Sequence, residues 1–256
     1  MKSIRELYRI GLGPSSSHTM GPRFAAEKFL VRHKDAASFK VILYGSLAAT
    51  GRGHMTDVAI IDVLSIVAPV AIDWRPTVFL PFHPNGMTFI AFDALGKTLE
   101  EWTIYSVGGG ALAKEGTDID TMTPDIYEFD MVKDIMKWCT DSGRSYWEYV
   151  EACEGPEIWD YLDECWTAMN ESIVRGLENE SVLPGKLHLP RKASKYYIKA
   201  SGYKDSLRSR GLVFAYALAV SEENAAGSRI VTAPTCGSSG VLPAVLYHLE
   251  QTRNFS

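Results

Sequence analysis

The stretch GLGPSSSHTMGPRF, Gly11 to Phe24, limits what this chain can fold into more than any other part of it. Two Gly-Pro pairs bracket three serines, a histidine and a threonine, with a charged, helix-like segment on each side. Glycine and proline at that density do not permit a continuous helix, and a linker has no use for an imidazole. The chain must therefore make a tight polar loop that feeds a helix. Pro22 then falls at the first helical turn, where its missing N–H costs nothing. Glycine lets backbone amides turn toward one point near the helix start. That point favours a carboxylate or phosphate, and serine hydroxyls add donors. Helix capping accounts for the serines and the threonine equally well. His18 turns the reading toward a site.

A second loop is built the same way. GSLAATGRGHMTD, Gly45 to Asp57, follows the strand candidate SFKVILYGSL and opens the helical GRGHMTDVAIIDVLSIV, with Thr56 or Asp57 as its cap. Gly51-x-Gly53, with Asp73 further on, begins a dinucleotide fingerprint. Thr56 stands where the third glycine belongs, and the next segment is not a clean second parallel strand, so that reading is rejected. His54 is placed as His18 is, and two such loops predict one shared site. In FHPNGMTF the pair Asn85-Gly86 reads as a hairpin-style turn, which turn chemistry alone explains. In TAPTCGSSGVLPAVL, Cys236 lies in a Gly/Ser/Thr loop that opens a helix. Amides and helix dipole there are expected to lower its thiol pKa, which suits a nucleophile or a metal ligand. Cys139, Cys153 and Cys165 lie among Trp, Tyr and Leu in helical segments and read as core.

In order, the first half reads helix, strand, helix and the hairpin MTFIAFDALGKTLEEWTIYSVGG. This predicts an α+β domain, helices on one face of an antiparallel sheet, over residues 1–160. From about Pro124 the patterns turn helical, first in DIYEFDMVKDIMKWCTDSGRSYWEYVEAC and then in IWDYLDECWTAMNESIVRGLENE. Residues 161–256 are expected to begin an all-helical domain. With 46% hydrophobic residues, a chain of 256 can bury a substantial core. A net charge of −5 without a basic run argues against nucleic acid and anionic membranes as partners. The start lacks the apolar core of a signal peptide. The most apolar stretch, VAIIDVLSIVAPVAI, carries Asp62 and reads as a buried helix rather than a membrane span. Unevenly spaced cysteines with no CxxC suggest reduced thiols and a cytoplasmic protein.

Taken in order, GPSSSHTMGP, GSLAATGRGHMTD, FHPNGM, SVGGG and TAPTCGSSGVLPAV resemble the iron–sulfur L-serine dehydratases (ammonia-lyases) of bacteria, from about residue 3 to the end. The resemblance implies a β domain, the start of an α domain that carries a 4Fe–4S cluster, and conversion of L-serine to pyruvate and ammonia through an aminoacrylate. It also implies a homodimer working in amino-acid catabolism and gluconeogenesis. An iron without a fourth protein ligand would act as Lewis acid, and Cys236 falls where the family places a cluster ligand. Ser15, Ser16, Ser17 and Thr19, with Asn85, Thr235 and Ser238, would hold substrate. His18 or His54 would move protons, His54 being the preferred base. Relatives continue with further cluster cysteines in a GCQ-type motif, so the chain is expected to be a truncated form with little turnover. The alternative is a non-catalytic module that binds serine or another small carboxylate, because the family's β domain resembles a serine-sensing domain of phosphoglycerate dehydrogenases.

Overall fold

The computed structural model describes residues 1–116, 124–185 and 187–253. Strands β2 (Ser38–Tyr44), β3 (Val70–Arg75), β4 (Gly86–Phe92), β5 (Thr98–Gly108) and β6 (Ala111–Ala113) form one sheet in the order β3-β2-β4-β5-β6. Alternation along the strands sends Phe39, Val41, Leu43, Met87, Phe89, Ala91 and Ile104 into one core. Helices α1 (Gly21–Arg32) and α3 (Thr56–Leu64) fill it with Ala25, Ala26, Phe29, Ile60, Val63 and Leu64. The expected hairpin forms as β4 and β5, in register from Gly86↔Tyr105 to Ala91↔Glu100, with a bulge before Phe92↔Thr98. Between β5 and β6, Gly108, Gly109 and Gly110 all have positive φ (113°, 56° and 86°), which side-chain-bearing residues resist.

The sheet is mixed rather than wholly antiparallel, because β2 and β3 run parallel from Phe39↔Val70 onward. Between them lie α2 (Gly45–Thr50) and α3, a crossover of the kind parallel neighbours require. The expectation that no parallel strand follows Gly45–Asp57 is thereby corrected. The apolar stretch VAIIDVLSIVAPVAI, expected to be one buried helix, is helical only to Leu64, and its last three residues, Val70–Ile72, open β3 after Pro69. Asp73 lies on that strand, paired with Lys40 (3.3 Å) and Arg75 (2.9 Å).

Ahead of the loop, SIRELYRIG makes only one 3-10 turn, Ile4–Glu6, and then β1 (Ile10–Leu12). Strand β1 pairs with β7 (Arg229–Val231), far away in sequence, through Ile10↔Val231. The Tyr161 phenol donates to the Tyr8 carbonyl, and the Ile4 N–H donates to Glu154 at 2.8 Å. The first dozen residues are thus tied to the helical part, and the serine loop lies at the seam between sheet layer and helices. The helical part comprises α4 (Val132–Ser142), α5 (Tyr146–Glu154), α6 (Ile158–Glu178), α7 (Ala193–Ser201), α8 (Asp205–Ala225) and α9 (Val241–Thr252). The long helical pattern before residue 153 divides where Gly143 turns left-handed (φ 69°) and Ser145 forms a capping box with Glu148. Cys165 is buried as expected. Cys139 and Cys153 are only half-buried, and α4 buries no residue, so neither thiol is a core residue. Among the described residues no helix is long and apolar enough to cross a membrane.

Candidate functional site

Ser16–Met20 makes a single π-helical turn that runs into α1, a local geometry that recurs at functional sites. Ser15 closes it: its carbonyl accepts from the N–H of Thr19 (2.9 Å) and Met20 (3.0 Å), and its hydroxyl accepts from His18 N–H at 3.1 Å. The Ser15 N–H donates to Thr19 Oγ1 at 3.2 Å. The N–H groups of Ser16 and Ser17, at the open start of the turn, have no acceptor among the described residues.

The second loop meets this one through two threonines. Thr19 Oγ1 donates to the His54 carbonyl at 2.7 Å, and Thr56 Oγ1 donates to the His18 carbonyl. Both threonines are buried. Neither Thr56 nor Asp57 caps α3; Met55 holds the cap position in the left-handed region (φ 56°), with no side-chain cap bond. The reciprocal pair of bonds sets the two imidazoles 4.8 Å apart between centroids, tilted by 40°. The histidine loops therefore converge.

The two rings differ in what they have left to offer. His54 Nδ1 lies 3.1 Å from the Thr50 carbonyl. A carbonyl only accepts, so in the neutral ring Nδ1 carries the proton and the Nε2 lone pair is open. His18 is engaged on both sides, with Ser17 Oγ at 2.9 Å from Nδ1 and Ser46 Oγ at 3.0 Å from Nε2. Its pKa is lowered first by burial and then by the neighbouring His54, while its contact with Ser46 pulls the other way. Sequence reasoning missed Ser46. As the second residue of α2, right after a strand, it reads as an ordinary helix start.

Asn85-Gly86 is not a hairpin turn. Gly86 opens β4, while Asn85 exchanges bonds with Ser106 at the end of β5: Ser106 N–H to the Asn85 carbonyl (3.0 Å), and Asn85 Nδ2 to the Ser106 carbonyl (3.2 Å). The preceding segment lies over the start of α2, where Ser46 N–H donates to the Pro84 carbonyl at 3.1 Å. Gly45 permits that approach: its φ is +46°, and a Cβ there would stand 2.8 Å from the Pro84 carbonyl oxygen. Burial also lowers the pKa of His83 in this segment. Ser106 Oγ is buried without a partner, and a Cβ on Gly21, the first residue of α1, would come within 2.2 Å of it. This hydroxyl was likewise not anticipated, since a strand-end serine carries no pattern.

The third loop behaves differently. Thr235 and Ser238 cap one another, Thr235 Oγ1 lying 3.1 Å from Ser238 Oγ, and Ser238 Oγ donates to the Ala233 carbonyl at 2.8 Å. Their bonds stay inside their own loop. The Cys236 thiol is buried against Met20 Sδ at 3.4 Å. Burial pushes its pKa up to about 12, which corrects the expected lowering. The loop's polar groups satisfy each other, while the sulfur packs among Ile173, Tyr216, Val220 and Ala244. Met20 ends the His18 turn, so Cys236 is a near neighbour of the site. Among the described residues, no three or more His, Cys, Asp or Glu are grouped to hold a metal ion.

With this geometry in place, the chain can be compared with known proteins. A family described as serine dehydratase beta chain matches residues 3–77, and one described as serine dehydratase alpha chain matches residues 90–256. The chain is 34% identical over 303 positions to an L-serine dehydratase of Haemophilus influenzae, which covers 98% of the chain and 67% of that protein. It is 35% identical over 307 positions to the L-serine dehydratase TdcG of Escherichia coli, covering 99% and 67%. A third, an L-serine dehydratase of Streptomyces coelicolor, is 34% identical over 298 positions, covering 96% and 65%. The chain spans about two thirds of the length of these relatives. The aligned spans also exceed its 256 residues, so the relatives carry segments without a counterpart in it.

Proposed function

Because the chain belongs to the L-serine dehydratase family, whose members are ammonia-lyases, we propose that its paired histidine loops bind L-serine and that His54 removes the Cα proton. The observation that carries this is the tautomer of His54: with Nδ1–H held by the Thr50 carbonyl, Nε2 is the open lone pair of the pair of rings. The unpaired N–H groups of Ser16 and Ser17 suit the substrate carboxylate, as amides at the open end of a turn do. Burial disfavours the His18 cation, so positive charge beside His54 that would repel the proton it takes is disfavoured. Loss of the Cα proton and of the β-hydroxyl, with its proton as water, leaves aminoacrylate. That product becomes an imine and hydrolyses to pyruvate and ammonia.

Serine dehydratase membership is consistent with a metal cofactor, and the resemblance specifies a 4Fe–4S cluster held in part by Cys236. A cubane with one open iron needs three protein thiolates. Near the site the described residues offer one thiol, Cys236, packed on Met20 and raised in pKa. That donor set does not fit a cluster, and no step here depends on one. The second reading is a module that binds serine without turning it over, since the open N–H groups of Ser16 and Ser17 suit a carboxylate in either case.

Pyruvate release from L-serine, measured anaerobically after incubation with iron and sulfide, separates the two. Turnover that His54→Ala lowers by about 10²- to 10⁴-fold, the usual worth of general-base catalysis, supports the enzyme. Binding of L-serine without pyruvate from the unsubstituted chain supports the module. Turnover unaffected by His54→Ala would exclude His54 as the base.

A further inference from the structure

His83 belongs to a segment fastened at two points to residues beside the histidine turn. The Pro84 carbonyl accepts from Ser46 N–H at 3.1 Å, and Ser46 Oγ lies 3.0 Å from His18 Nε2. Asn85 bonds the Ser106 carbonyl at 3.2 Å, and the Ser106 side chain lies against Gly21, which follows the Ser16–Met20 turn. The half-buried ring of His83 is oriented by a group that can only donate. The Asn85 N–H meets Nδ1 at 3.1 Å, so Nδ1 is the bare nitrogen and Nε2 carries the proton. Protonating Nδ1 would set one N–H against another, so this contact favours the neutral ring. Nε2–H has no acceptor among the described residues. His54 is the opposite case: a carbonyl takes its Nδ1–H, which leaves a lone pair at Nε2 and room for a proton there. One ring is set as a donor, the other as an acceptor.

Of the polar groups of serine, the ammonium only donates and has no use for such an N–H. The carboxylate is already served by the Ser16 and Ser17 amides. The β-hydroxyl oxygen remains. We propose that His83 Nε2–H donates to the β-hydroxyl oxygen of the substrate, so that this residue selects a β-hydroxy amino acid and holds its leaving group. The inference rests on the His18–His54 loops being the substrate site. In the elimination the electron pair of the breaking Cβ–O bond stays on that oxygen, where the His83 N–H meets the growing charge. The proton that His54 has taken completes the water.

The test compares L-serine with L-alanine, which lacks only the hydroxyl. Binding to the full chain is followed through the imidazole ¹⁵N signals of His18, His54 and His83. L-Serine is expected to bind about three- to tenfold more tightly, the range for one neutral hydrogen bond. His83→Asn keeps an oxygen that can accept from the Asn85 N–H and removes the distal donor. It should reduce the ratio to below about twofold while leaving L-alanine affinity within about a factor of two. In the unsubstituted chain at neutral pH, the same spectra should show the His83 proton on Nε2, a readout that does not need the variant to fold. A proton on Nδ1, selectivity that survives His83→Asn, or equal losses for both amino acids overturns the inference and leaves the site reading standing. If neither ligand moves the His18 and His54 signals, the site reading itself fails and takes this inference with it.

Discussion

The Ser15–Thr19 loop and the Thr235–Ser239 loop look alike on paper, each a run of small hydroxyl residues leading into a helix. In the structure they part company. Ser15 and Thr19 shape the first loop, but Ser16 and Ser17 keep open amides, and the loop is cross-linked to a second one that brings His54 beside His18. The second closes on itself, with Thr235 and Ser238 in mutual caps and the Cys236 sulfur turned to the core. A polar loop can offer a site only where neighbours leave some of its donors without work. Composition cannot say which loop that is.

The largest expected contrast is in turnover. His54→Ala should cost about 10²- to 10⁴-fold in pyruvate release where the chain is active, while Thr235→Ala and Ser238→Ala should stay within about threefold, since their bonds remain inside a cap. A large loss of kcat in either cap variant, with cluster-independent L-serine affinity unchanged, would make the third loop part of the chemistry and erase the distinction.

Next comes the burial of Cys236. Cys236→Ser places a hydroxyl without a partner against Met20 and should lower unfolding free energy by about 1–3 kcal/mol in urea titration. In the native chain Cys139 and Cys153, half-buried, should react with a thiol reagent well before Cys165 and Cys236. Burial raises the pKa of both slow thiols, Cys236 to about 12, which leaves little thiolate to react. Fast labelling of Cys236 would show that its loop opens.

A smaller effect is expected from pH. His18 titrates below its ordinary value of 6.5 because burial and His54 disfavour its cation. The unfolded chain therefore binds the proton more readily, so stability is fully present above about pH 6.5 and falls as pH drops below it. Tm measured from pH 7.5 to 5.5 should decline less steeply in His18→Gln than in the unsubstituted chain. An equal slope would remove His18 from the acid-sensitive groups.

The smallest is the cap itself. Thr235→Ala should cost about 0.5–1 kcal/mol, the low end for a lost cap in a short turn. A cost several times that would mean that the loop carries load beyond its own turn.

Much of the fold was legible in the residues. The runs of bulky apolar residues around Val41 and Phe89 gave strands, the Asp-Ala-Leu-Gly-Lys stretch gave the hairpin, and Pro22 marked the start of α1. These are local signals, and local physics decides them. The parallel β3 was not legible, because its first residues, Val70–Ile72, close the apolar stretch VAIIDVLSIVAPVAI, which reads as one buried helix. The segment before Gly11 read as helix by periodicity, yet its extended pairing with Arg229–Val231 comes from a partner more than two hundred residues away in the chain.

The same division runs through the site. From its sequence alone this chain determined that two glycine-bounded loops would each present a histidine before a helix, because only glycine and proline allow such turns. Tertiary structure alone decided which hydroxyls are consumed, that Thr19 and Thr56 would clasp the loops together, and that Ser46 would stand behind His18. It also turned Cys236 from an activated thiol into a buried one. Those outcomes depend on hydrogen-bond partners and burial supplied from distant segments, and neither is written in the local order of residues.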